Sequence, residues 1–315
     1  MTIRKVNKMK SSRLIWFKKE ILPVEQAMVN ILSPTSQFGA NVFEGLRAYW
    51  CDQQQQLFVF RLNCHISRLL KSVKMMRLDI EYDKDFLFES VLEVIRANKY
   101  KEDIAIRQTI FLEGDGSWMS SGPADMFIAP IPKKRAFDKN KGGFHCCVSS
   151  WERINDNSIS PRIKVGANYI NSRMGQIEAV NNGFDSTIFL NSRGTVSEGP
   201  GSCLFIVRDG VLITPPLTAS VLESITRFSI IDIAKDILNI EVVEREIDRT
   251  ELYIADEVFF CGTAVEIIPI LSVDRYCVGD GVAGSVTSAL QDVYFETVRG
   301  LNEYNKDWLV PVYEI

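Results

Sequence analysis

Two hydrophobic periods alternate along the chain, one near two residues and one near 3.6, and the switches between them mark out strands and helices. The apolar run at 14–17 predicts a short strand. Leu46, Ala48 and Trp50 alternate with Arg47 and Tyr49, as in a half-buried strand, and after the polar run 52–56 a partner strand resumes at 57–60. From Leu62 the period lengthens, placing Leu62, Ile66, Leu69, Leu70 and Val73 on one side of a helix. A second helix is expected over 85–98, then strands over 104–111 and 126–130. Residues 132–143, PKKRAFDKNKGG, carry charge without an apolar period and read as a linker between domains spanning 1–131 and 144–315.

The second part opens with a strand at 144–149. Ile170, Met174 and Ile177 then recur at helical spacing over 168–181, and Asn182 with Gly183 supplies the stop. Strands are expected at 187–190 and 195–198, followed by a hairpin of 203–207 with 211–214. A helix begins at about Ser224 with Ile230, Ile233, Ala234, Ile237 and Leu238 inside, and a strand at 256–261 runs into Gly262, Thr263 and Ala264.

Composition narrows the class of protein. With 46% hydrophobic and 24% charged residues in 315, the chain can bury a core and stay dissolved, and its length favours two domains. A net charge of -4 offers no broad positive field, so nucleic acid is not an expected partner. No apolar run has the length of a signal peptide or a membrane span. Seven cysteines without a CxxC spacing suit reduced thiols in the cytoplasm, and two distant histidines offer no metal-ligand spacing. The pattern Gly279, Gly281, Gly284 precedes a helix as a dinucleotide loop would, but too little chain follows for a complete βαβ unit.

Four places carry candidate chemistry. Lys164 stands before a helix among small residues, and a lysine drawn out of water loses proton affinity and becomes a nucleophile; taken singly, it reads first as a solvated surface charge. Glu198 closes a strand just before Gly199, Pro200 and Gly201. Arg61 projects from a strand-to-helix junction, where a guanidinium can hold phosphate or form an ordinary salt bridge, and His65 on the following helix reads as structural. The first-turn amides of Ile225 and Thr226 offer a second anion seat.

Six segments in order, FGANVFEGLRAY (38–49), FRLNCHISRL (60–69), KVGANY (164–169), TVSEGPGSCLF (195–205), TPPLTASVLESITR (214–227) and ADEVFFCGTAVEI (255–267), resemble the fold-type IV pyridoxal-phosphate enzymes, and within them the branched-chain amino-acid aminotransferases. The resemblance implies a two-domain α/β (α+β) fold like that of D-amino-acid aminotransferase, with the cofactor in the interdomain cleft of a homodimer. It further implies that Lys164 carries pyridoxal 5'-phosphate through its amine and shuttles the substrate's proton, and that Glu198 keeps the pyridine nitrogen protonated. Arg61, Ile225, Thr226 and Thr263 would hold the phosphate, and Tyr169 the ring hydroxyl.

The substrates implied are an amino acid and a 2-oxo acid such as 2-oxoglutarate, with Phe38, Phe43, Arg107 and Ala264 on the substrate side. There the chain departs from the family pattern. Gln37 and Phe38 stand where His-Tyr is common, Ala105 where a tyrosine precedes the strand arginine, and Pro132 and Lys133 around a pocket tryptophan. The same fold also serves D-amino-acid and (R)-amine transaminases and aminodeoxychorismate lyases. A cofactor-binding scaffold without activity would need neither Lys164 nor Glu198.

Overall fold

The computed structural model describes residues 13–136 and 142–314. The first half supplies β1 (Leu14–Phe17), β2 (Glu20–Pro23), α1 (Pro34–Phe38), β3 (Asn41–Cys51), β4 (Gln56–Phe60), α2 (Leu62–Met75), α3 (Lys84–Asn98), β5 (Ile104–Leu112) and β6 (Ala124–Pro132). The second supplies β7 (Phe144–Val148), α4 (Tyr169–Asn181), β8 (Ser186–Ile188), β9 (Cys203–Arg208), β10 (Val211–Thr214), α5 (Ile225–Asp236) and β11 (Val242–Glu244). It continues with β12 (Glu257–Gly262), β13 (Glu266–Val273), β14 (Tyr276–Cys277), α6 (Ser285–Val298) and β15 (Leu309–Pro311). The expected linker begins inside β6, at Pro132, and its residues 137–141 lie outside the described residues.

Two sheets organise these elements into an α+β fold. One runs β15-β4-β3-β5-β6-β1-β2, so a strand from residues 309–311 pairs with β4 near the other end of the sequence; the other runs β11-β10-β9-β12-β13-β7-β8. The first sheet packs Val42, Leu46, Ala48 and Leu57 against Leu62, Ile66 and Leu69 of α2 and Leu87, Val91 and Ile95 of α3. The second buries Phe205 and Phe259 beneath α5 and α6 on one face, and Leu204, Ile206 and Phe260 on the other. Asp83 and Ser224 cap α3 and α5 by accepting from the amides of Phe86 and Arg227. No helix among the described residues is long and apolar enough to cross a membrane.

Two expectations, for β3 and for residues 195–198, are corrected, and α4 buries a face that its apolar period does not mark. β3 is buried on both faces rather than half-buried: Arg47 and Tyr49 are 1% and 0% exposed, because Tyr49 joins Phe60, Tyr294 and Trp308 in the second core. A strand sandwiched between two layers loses the polar face that alternation implies. In α4, Ile170, Met174 and Ile177 face outward, while Ser172, Gly175 and Ala179 face in. Gly175 sits so close to the Phe189 ring that an added Cβ would lie 2.4 Å from it, so close approach decides which face is buried. Finally, 195–198 forms only isolated bridges, Leu190 with Val196 and Thr195 with Asp248.

Candidate active site

Between the two sheets lies a cavity of about 530 Å³, lined from one side by β3, β5 and β6 and from the other by the loops around Glu198, Ser224 and Thr263. Lys164 enters it from a pinned backbone. Its amide donates to Ser72 Oγ of α2 at 3.2 Å and its carbonyl accepts from Phe43 N of β3 at 2.9 Å. Its Nζ donates to Tyr169 Oη at 2.9 Å and lies 5.0 Å from the centre of the Phe43 ring. The half-buried amine is thus held between two aromatic rings, with an aromatic hydroxyl as its partner.

Glu198 reaches the cavity from the far wall and is 4% exposed. Both Nε and an Nη of Arg153 donate to its Oε1 at 2.8 Å, while its Oε2 accepts from Leu222 N at 3.2 Å. Cys203 Sγ lies 3.9 Å from the same oxygen; burial, with the Glu198 charge beside it, pushes that thiol up to about 12, so it remains a neutral donor. Every contact on the carboxylate comes from a donor, which suits an anion fixed in place to hold a proton on a ligand. Arg153 was not singled out in the sequence.

At another part of the cavity, α5 begins. Ser224 lines the cavity and spends its side chain on Arg227 N, leaving the Ile225 and Thr226 amides without helical partners. Arg68 of α2 joins them, donating through Nη1 to the Glu223 carbonyl at 2.8 Å. It is braced from behind by Glu44, which accepts from Arg68 Nε at 2.7 Å, Arg68 Nη2 at 2.8 Å and His65 Nδ1 at 2.7 Å. Burial alone would raise the Glu44 carboxyl, but Arg68 and His65 outweigh it and hold it well below the usual carboxylate range. Burial likewise pushes His65 down, past the opposing pull of Glu44, consistent with a neutral, structural ring. Three of the five Arg68 N–H donors are used in these bonds, and two remain for an anion.

The structure therefore gathers Lys164, Tyr169, Glu198, Phe43, Arg107, Thr263 and Ala264 around one cavity, beside the start of α5. It does not bring Arg61 there. Arg61 takes a left-handed φ of 55° at the β4–α2 junction, which aims its side chain away, to Ser229 Oγ at 3.2 Å, Asp232 at 3.5 Å and the Trp308 ring at 3.9 Å. Phe38 also lies outside the lining, 48% exposed at the end of α1. Arg68, which lines the cavity, was not singled out in the sequence. Its signal was in the sequence: His65, Arg68 and Ser72 repeat at helical spacing beside the apolar stripe, facing a lone Glu44 on β3.

The glycine pattern at 279–284 is occupied by the chain itself. Glu257 accepts from the Val286 and Thr287 amides at 2.9 and 2.7 Å, and a Cβ on Gly284 would overlap its carboxyl carbon at 1.9 Å. An internal carboxylate already fills the anion seat at the start of α6.

Comparisons with known proteins place this geometry in a family. Residues 41–273 match the family described as amino-transferase class IV. A probable branched-chain-amino-acid aminotransferase of Aquifex aeolicus is 38% identical over 95% of this chain and 96% of its own length. The branched-chain-amino-acid aminotransferase of Escherichia coli K12 is 40% identical over 95% and 97%. Among solved structures, the branched-chain amino acid aminotransferase of Thermobaculum terrenum in its PLP form superposes with a TM-score of 0.91 at 39% identity, over 97% of this chain and all of that one. The branched-chain aminotransferase of the archaeon Thermoproteus uzoniensis with norvaline also gives 0.91, at 40% identity, over 96% of this chain and all of that one. The chain belongs to the class IV aminotransferases, in the group whose curated members are branched-chain-amino-acid aminotransferases.

Proposed function

We propose that the protein is a pyridoxal 5'-phosphate-dependent aminotransferase that moves an amino group between a branched-chain or related hydrophobic L-amino acid and a 2-oxo acid such as 2-oxoglutarate. The observation that carries this reading is the placement of Lys164 and Glu198 in one cavity beside the open start of α5. The donor set fits the cofactor. An amine suits its aldehyde, a fixed carboxylate its ring nitrogen, and helix amides with an arginine its phosphate.

When bound, the cofactor supplies an electron sink for the carbanion at the substrate's α-carbon. Lys164 takes the α-proton and returns it on the other side of the exchange, a role typically worth about 10² to 10⁴ in rate. Glu198, fixed in place by the two Arg153 contacts, would keep a proton at the ring nitrogen. Arg68, the Ile225 and Thr226 amides and Thr263 bind the phosphate, with Arg68 taking the place expected of Arg61. Tyr169 orients the ring hydroxyl, while Phe43, Arg107 and Ala264 bound the substrate.

The decisive experiment is spectroscopic. The purified protein with pyridoxal phosphate is expected to be yellow, with an imine band that Lys164→Ala abolishes, and to consume L-leucine, L-isoleucine or L-valine with 2-oxoglutarate. A protein that takes up no cofactor, or that consumes only D-amino acids, sinks the reading.

Two further features belong to it. We infer a homodimer of two-domain subunits, with domains at 1–131 and from 144 onward, the strand β15 returning to the sheet of the first domain. Met28, Val29, Ile31, Leu32, Trp118 and Met119 are exposed on two loops tied together by Asn30 donating to Asp115, an apolar surface a second subunit would cover. Sedimentation at micromolar concentration tests this, and a monomer refutes it. The seven free cysteines support a cytoplasmic location, which fractionation of the source cell would check.

A further inference from the structure

One wall of the cavity is a face of the first sheet, and its chemistry differs from that of a purely apolar pocket. Register places Gly45 beside Arg107, Arg47 beside Ala105, and Ala105 beside Ile131, all lining the cavity. Lys133 follows two residues after Ile131 and lines it too. The floor between the basic residues is low. Gly45 has open space where a side chain would stand, and Ala105 contributes only a methyl group.

The three basic residues on this wall are not equivalent. Arg47 is committed: it is buried, pairs with Glu266 at 3.2 Å and donates to the carbonyls of Lys133 and Lys134. Arg107 rests its guanidinium 3.9 Å from the centre of the Phe43 ring. The Lys133 backbone is fixed, its amide donating to the Asp103 carbonyl at 2.9 Å and its carbonyl accepting from Arg47 at 3.0 Å, while its side chain stays exposed. Among the described residues, neither Arg107 nor Lys133 has an ion pair. A branched-chain substrate brings one carboxylate to a wall with two uncommitted cations.

We propose that Lys133, acting with Arg107, seats the side-chain carboxylate of a dicarboxylic amino acid or 2-oxo acid and so determines how strongly the enzyme favours acidic over branched-chain partners. The inference rests on the aminotransferase reading and adds a specificity-determining residue to it. An ammonium on a flexible stem at the rim can meet a carboxylate two methylenes from the reacting carbon, while an apolar side chain passes over the low floor without needing it. Discrimination then comes from a charge that only one substrate class answers.

The test is Lys133→Met in the holoenzyme, assayed with 2-oxoglutarate and with 2-oxoisovalerate as acceptors. Expected is a fall of about tenfold in kcat/KM for 2-oxoglutarate, carried mainly by KM, with a change of less than about twofold for 2-oxoisovalerate, as suits the loss of one charge-assisted contact. Lys133→Arg should restore most of the loss. Glutarate, which has two carboxylates and no carbonyl to react, should show the same weakening in a calorimetric titration, independent of turnover. Equal effects on both acceptors, no effect on either, or unchanged glutarate affinity overturns the proposal while leaving the aminotransferase reading in place. If the wild-type protein transaminates no amino acid, that reading fails and this one falls with it.

Discussion

Glu44→Gln isolates the brace behind Arg68. The substitution keeps the shape of the side chain but removes its charge, leaving Arg68, 7% exposed, without its two charge-assisted bonds to a carboxylate. Removing one partner of a buried ion pair typically costs about 3–5 kcal/mol, because the other charge is left uncompensated. That is a large share of an ordinary domain's stability, about 5–15 kcal/mol. The pH dependence has a definite sign. Glu44 sits well below its reference value of 4.5 in the folded protein, so its contribution is fully present above 4.5 and is lost as pH falls toward the folded value. Between those limits the difference between wild type and variant should shrink by about 1.4 kcal/mol per pH unit, or about 2 kcal/mol by pH 3. Urea unfolding at pH 7, 5 and 3 measures this, with cofactor affinity recorded in parallel. A loss below about 1 kcal/mol at pH 7, the scale of an exposed pair, or a difference that ignores acidification, refutes the reasoning.

Three other substitutions follow from the same geometry. Arg68→Ala should weaken pyridoxal-phosphate retention by at least about tenfold, whereas Arg61→Ala should leave retention nearly unchanged; equilibrium dialysis compares them, and the opposite order would restore Arg61 as the phosphate ligand. Glu198→Gln should lower kcat by about 10²- to 10³-fold while cofactor still binds, and a variant that turns over at the wild-type rate would remove Glu198 from the chemistry.

Much of the site was legible because its residues stand at ends of elements. Lys164 precedes a helix, Glu198 precedes a Gly-Pro-Gly break, and Thr263 follows a strand, and periodicity finds such ends well. Arg61 and Arg68 share one motif, and only backbone geometry shows that Arg61 points away from the cavity while Arg68 lines it. A left-handed residue at the junction turns Arg61 toward Trp308, a contact 247 residues distant in sequence that no local pattern encodes. The same limit explains β3 and α4. Alternation reports one partner layer, but β3 has two, and the inward face of α4 is chosen by the gap beside Phe189 rather than by hydrophobicity.

The pairing of β15 with β4 bears on the order of events during synthesis. Leu309, Val310 and Pro311 lie against Phe60, Val59 and Phe58, the Arg61 amide donates to the Trp308 carbonyl, and Gln56 and Arg96 donate to the Tyr313 and Val312 carbonyls. Until residue 313 has cleared the ribosome, β4 is therefore an open edge, though the rest of its sheet was made more than 170 residues earlier. A nascent chain carries that exposed strand through most of its elongation, so chaperone dependence should follow translation speed across the second half.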